Sequence, residues 1–98
     1  MLYAIAIEVG GEGTAYSVCF PDLTGCFSSG DSMDEALSNA KVAVEFYLED
    51  LSENSKIPPS PRSLSDWKKY EEYEGWSWGI VDIDIDSYLI RSIKINVT

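Results

Sequence analysis

Histidine is absent from the 98 residues, which removes the commonest general base and metal ligand. Cations are scarce as well: seven Lys and Arg stand against 17 Asp and Glu, a net charge of −10. Phosphate recognition needs clustered Lys and Arg, so direct nucleic-acid binding is not expected. There are only two cysteines, Cys19 and Cys26, too few for a disulfide framework and spaced unlike a zinc knuckle. No apolar run approaches the ~18 residues of a membrane span, and no basic-then-apolar leader is present, so cytoplasmic residence is the expectation.

The chain does have apolar mass. Hydrophobic residues make up 45%, including three Trp and six Tyr. That is enough for one domain, small enough that a homodimer or higher oligomer is expected. The charge is uneven. Residues 1–57 hold ten acids and two bases (−8), whereas residues 58–98 hold seven and five (−2). The N-terminal half therefore faces water or a basic partner.

Along the chain, Tyr3, Ile5, Ile7 and Val9 alternate with Ala4, Ala6 and Glu8, which predicts a strand over 2–9. Gly10-Gly11-Glu12-Gly13 predicts a hairpin connection, and Thr14 to Phe20 alternates again. Pro21 to Gly25 reads as a turn, followed by a short third strand over 26–29. Ser32-x-x-Glu35 is a capping box that opens a helix expected over 33–52. Its expected apolar stripe is Met33, Leu37, Ala40, Val44, Tyr47, Leu48 and Leu51. Glu49, Asp50 and Glu53 stand at the C-terminal end of that helix, where the dipole disfavours anions.

Pro58, Pro59 and Pro61 predict a stiff extended linker, and a short helical turn is expected over 64–71. A fourth strand is expected over 76–85, with Val81, Ile83 and Ile85 inward and Asp82, Asp84 and Asp86 in water. Ile93, Ile95 and Val97 alternate in a last strand. The order is β-β-β-α-β: an α+β fold with one long helix on an antiparallel sheet.

Candidate chemistries fail on spacing. Asp82-x-Asp84-x-Asp86 resembles the start of a calcium loop, but Ser87 and Ile93 stand where that loop needs Gly and an acid. In a strand the three carboxylates would form a row ~6.7 Å apart rather than converge. Asp22 and Asp31 with that row could furnish two-metal nuclease chemistry, yet no basic substrate groove accompanies them. No G-x-S-x-G or phosphate loop occurs. Trp67, Tyr70, Tyr73, Trp76 and Trp78 are interleaved with Glu71, Glu72 and Glu74, which suits a core or a protein interface better than a nucleic-acid stacking platform. No catalytic residue, metal ligand or cofactor site is assigned.

Tyr16-x-Val18-x-Phe20-Pro21-Asp22-Leu23-x-Gly25-Cys26, followed by Gly30-Asp31-Ser32-Met33-Asp34-Glu35-Ala36 and the long helix, resembles the HicB antitoxin domain. The likeness continues through Ile57-Pro58-Pro59 and the strand after Trp78. It implies a partial ribonuclease H-like fold without a working active site. It also implies a partner, a small basic HicA-type toxin that cleaves mRNA. The residues expected to meet it are Glu8, Glu12, Asp22, Asp31, Glu49, Asp50 and Glu53, with Trp76 and Trp78 as apolar centre.

Lys94 to Thr98 resembles the first ribbon of a ribbon-helix-helix motif, so residues 1–88 are expected to form the toxin-binding domain and 89–98 the linker and first ribbon strand. Ile93, Ile95 and Val97 would make the oligomer contact. The helices that would grip operator DNA do not follow, so no autorepression is expected from these residues alone. The competing expectation is a stand-alone HicB-like domain that binds RNA or another protein, or a residual metal-dependent nuclease.

Overall fold

The computed structural model describes residues 1–85. The elements are β1 (Leu2–Glu8), β2 (Tyr16–Cys19), β3 (Phe27–Gly30), α1 (Met33–Glu53), α2 (Leu64–Trp67), a 3-10 turn (Glu71–Tyr73) and β4 (Ser77–Asp82). The expected β-β-β-α-β order is what forms. All strand pairs are antiparallel, in the order β3-β2-β1-β4. The expected strand over Ile93, Ile95 and Val97 lies outside the described residues.

Register sorts the side chains. Tyr3, Ile5 and Ile7 pair with Val81, Gly79 and Ser77, so they share the inner face with Val18 of β2. Ala4, Ala6 and Glu8 share the outer face with Trp78, Ile80, Cys19 and Phe27. The inner face and α1 form one core that includes Tyr3, Ile5, Val18, Phe20, Leu23, Ala40, Val44 and Leu48.

The start of α1 is fixed by the Ser32 hydroxyl, which accepts from Glu35 N at 3.1 Å. At its other end Ser55 takes φ 53° and Lys56 N donates to Leu51 O at 2.8 Å, a left-handed cap made without glycine. The line that faces the sheet is Ala36, Ala40, Val44 and Leu48, flanked by Ala43, Tyr47 and Leu51. This corrects the expected stripe at its N-terminal end, because Leu37 is 39% exposed. The cause is the β3–α1 junction. A Cβ on Gly30 would lie 2.6 Å from Ala36 N, so the backbones approach too closely for a large residue at position 36. Ser28 Oγ donates to Ala36 O and Asn39 Nδ2 to Ser29 O, both at 2.8 Å, which clamps the helix to that edge strand.

Two further expectations are corrected. β4 ends at Asp82 and not at Ile85, because its partner β1 begins at Leu2, opposite Asp82, and the chain start leaves only Met1 to bond with Ile83 beyond. Helical structure over 64–71 stops at Trp67 and resumes as the separate 3-10 turn.

Candidate partner-binding surfaces

The turn after β2 is built from its own residues. Phe20 N donates to Cys26 O, Leu23 N to Phe20 O and Cys26 N to Leu23 O, with Gly25 at φ 85°. This drives Leu23 fully into the core and turns Asp22 inward. Asp22 is only 8% exposed. Its Oδ1 accepts from Arg62 N at 2.8 Å, while Tyr3 Oη donates to Pro59 O at 2.7 Å. Together these bonds strap the proline linker across one end of the sheet. Asp22 is therefore a correction to the expected rim of acids: its carboxylate ties down backbone 40 residues away and is not presented to a partner.

The other acids fall into two groups. Register places Glu8, the hairpin with Glu12, Gly30 and Ser77 at one end of the sheet and Leu2 and Asp82 at the other, with Phe27 level with Cys19, Ala6 and Trp78. Glu8, Glu12 and Asp31 are exposed at the first end. α1 starts there and runs away from it, so Glu49, Asp50 and Glu53 emerge about 25–30 Å further along at ~1.5 Å per residue. They are exposed, with no basic side chain in the last helical turn. One continuous acidic face is thus not formed.

The aromatic cluster also divides. Arg62 lies 4.5 Å from the Trp67 ring centroid and 5.7 Å from that of Tyr70, and its Nη1 donates to Tyr70 Oη at 3.1 Å. That bond raises the Arg62 pKa further, in keeping with a guanidinium held over aromatic faces. The second group is Tyr73, Trp76 and Trp78. Tyr73 meets both Trp rings edge-on, with centroids 5.5 and 5.3 Å away. Its hydroxyl is 3.6 Å from Cys19 Sγ. Cys19 and Trp78 lie on the two strands that flank β1, so Tyr73 crosses over Ala6 and explains why an outer-face alanine is completely buried. Burial, then the contact with Cys19, pushes the Tyr73 phenol upward. Cys26 is buried on the inner side, where desolvation lifts its thiol to about 11 and leaves it unreactive.

Trp76 and Trp78 are half-buried on the outer face, at the same end as Glu8. Around them the face stays apolar but uncovered: toward the other end Ile80 is 57% and Leu2 61% exposed, and across Ala6 and Cys19 on the β3 edge Phe27 is 69% exposed. Sequence reasoning missed these three. The signal was present in the period of two that puts Ile80 beside Trp78, but the Asp row drew attention to the same strand. Among the described residues no three acidic or thiol side chains converge as a metal site would require. No helix there is long and apolar enough to cross a membrane.

Comparison with known proteins agrees with this geometry. An uncharacterised 14.9 kDa protein of Haemophilus phage HP1 is 37% identical over all of this chain and 72% of its own length. Antitoxin HicB 1 of Photorhabdus laumondii is 42% identical over 62% of this chain and 40% of that protein. Among solved structures, the N-terminal domain of Burkholderia pseudomallei antitoxin HicB superposes with TM-score 0.70 at 27% identity, covering 86% of this chain and 99% of that one. A chain of the HicA3 and HicB3 toxin–antitoxin complex gives TM-score 0.66 at 30% identity, with the same coverage. A family model for HicB-like antitoxins of bacterial toxin–antitoxin systems matches residues 3–98. With its motifs, its fold and almost its whole length in agreement, this chain belongs to the HicB-like antitoxin family of bacterial toxin–antitoxin systems.

Proposed function

We propose that this chain neutralises a small basic HicA-type ribonuclease by covering its RNA-binding surface with the hairpin end of the sheet. The observation that carries the reading is the likeness of 86% of this chain to 99% of a chain from the HicA3 and HicB3 complex. The distribution of charge supports it. A toxin that grips RNA presents cations, and Glu8, Glu12 and Asp31 stand together at the end where Trp76 and Trp78 offer half-buried rings. Rings at the centre and acids at the rim divide the work: the desolvated centre governs dissociation, the charged rim governs encounter. Glu49, Asp50 and Glu53, at the far end of α1, contribute to net charge and long-range steering but not to this contact.

Association rates with the cognate toxin test the assignment. Changing Glu8, Glu12 and Asp31 to Lys should slow association about tenfold or more at low salt, and raising salt should shrink the difference. Changing Glu49, Asp50 and Glu53 to Lys should slow it about twofold at most. The opposite ranking would place the contact at the helix end. A wild-type association rate independent of salt would show that the charge only keeps the protein soluble. The expected ribbon strand with Ile93, Ile95 and Val97, and the oligomer contact expected of it, lie outside the described residues.

A further inference from the structure

The stretch from Glu71 to Trp76 lies outside any strand and is shaped by two backbone bonds, Glu74 N to Glu71 O and Trp76 N to Tyr73 O, with Gly75 at φ 83°. These turns deliver Trp76 to the residue before β4, so Trp76 and Trp78 stand two residues apart on the outer face. Tyr73 packs edge-on against both and is held to the sheet beneath through Cys19. The register that sets Ala6 against Trp78 and Ile7 against Ser77 runs on to put Glu8 level with Trp76. Glu71, Glu72 and Glu74 are exposed on the segment that carries the rings. Among the described residues none of these four carboxylates makes an ion pair.

The face of an indole is the negative end of its quadrupole, and carboxylates at its edge add full charges of the same sign. Such a place attracts a cation. The chain uses this chemistry once already, where Arg62 lies 4.5 Å from the Trp67 centroid and donates to Tyr70. We propose that Trp76 and Trp78, braced by Tyr73 and flanked by Glu8, seat one cationic side chain of the basic partner. The proposal rests on the toxin-binding reading above and adds the kind of contact made at its centre. An aliphatic side chain is the poorer occupant. It would strip water from the neighbouring carboxylates and bring them no charge, whereas a cation keeps them paired. Shielded from water, a cation on these rings should act chiefly on dissociation.

The test is stepwise fluorination of single indoles in the full-length chain. Mono-, di- and trifluorotryptophan replace Trp76 or Trp78 one position at a time, and each fluorine drains the negative ring face with little change in size. Dissociation constants with the cognate toxin should rise step by step, by about three- to tenfold at the trifluoro stage for at least one of the two positions. The same series at Trp67, whose ring is taken by Arg62, should leave the constant unchanged. A flat series at both positions, or affinity that grows with fluorination, would show an apolar occupant and overturn the proposal. An equal loss at Trp67 would overturn it as a general effect of fluorine. Melting of the free chain is followed in parallel. A stepwise fall in melting temperature with no change in the dissociation constant would put one of this chain's own cations over the rings, which overturns it as well. The charge-swap association rates keep this apart from the parent reading. A flat series with the Glu8, Glu12 and Asp31 ranking intact removes only the cation seat, whereas the opposite ranking removes the contact at this end and the seat with it.

Discussion

The two faces of the sheet are both covered, by different means. On the inner face a single 21-residue helix lays down Ala36, Ala40, Val44 and Leu48 at regular spacing over β2 and β3. On the outer face an irregular stretch from Glu71 to Trp76 sets three rings in contact and covers Ala6 with one of them. The first is a periodic core whose side chains are fully withdrawn from water. The second is a partial cover that grades into exposed Ile80, Leu2 and Phe27. Stability should reside in the first and recognition in the second.

Substitutions can break that division. Leu48→Ala removes a buried side chain from the helix–sheet core and should cost about 2–5 kcal/mol in chemical denaturation. Leu37→Ala serves as its control and should cost distinctly less, since that side chain is partly in water. Tyr73→Ala removes two ring pairs on the outer face, each worth about 0.5–1.5 kcal/mol, so the loss should be about 1–3 kcal/mol. It should also speed dissociation of the toxin. A cost as large as that of Leu48→Ala would make the outer face a second core.

The smallest effect concerns pH and the buried Cys26. The Cys26 thiol ionises at about 11 when folded, against an ordinary 9.0. Its raised value stabilises the fold fully below pH 9, and that contribution is lost as pH climbs through about 11. Thermal melts from pH 8 to 11 should therefore fall less steeply for Cys26→Ala than for wild type. The difference should be partial, because burial raises the Tyr3 and Tyr73 phenols in the same direction. Parallel melting curves would mean that the Cys26 environment is wetter than the packing indicates.

Most of the inner face was legible in the sequence. The α1 start at Met33 follows from Ser32 and Glu35, and the β1 and β2 faces follow from their alternation. What failed depended on partners distant along the chain. Leu37 fits a helical stripe, but the Gly30–Ala36 approach turns the helix so that smaller residues face the sheet. Asp22 follows a proline in a turn, where acids are ordinarily in water, yet a backbone donor from Arg62 holds it inside. No local pattern could report that bond. The acids expected to share one surface were grouped by charge alone, and only strand register shows that helix length separates them. The outer face was legible as aromatic but not as arranged, since irregular backbone carries no period to read.

The approach of Gly30 to α1 carries a consequence for how this sequence can drift. A methyl group at position 30 would meet main-chain atoms, Ala36 N at 2.6 Å and Glu35 C at 2.9 Å. A clash with a side chain can be relieved by trimming that side chain, so such sites wander together over evolutionary time. Main chain cannot be trimmed. No compensating substitution at 35 or 36 opens a route, and only a shift of the whole helix would admit anything larger than glycine. The junction is thus an evolutionary dead end for one position and, through it, an anchor for the orientation of everything the helix carries.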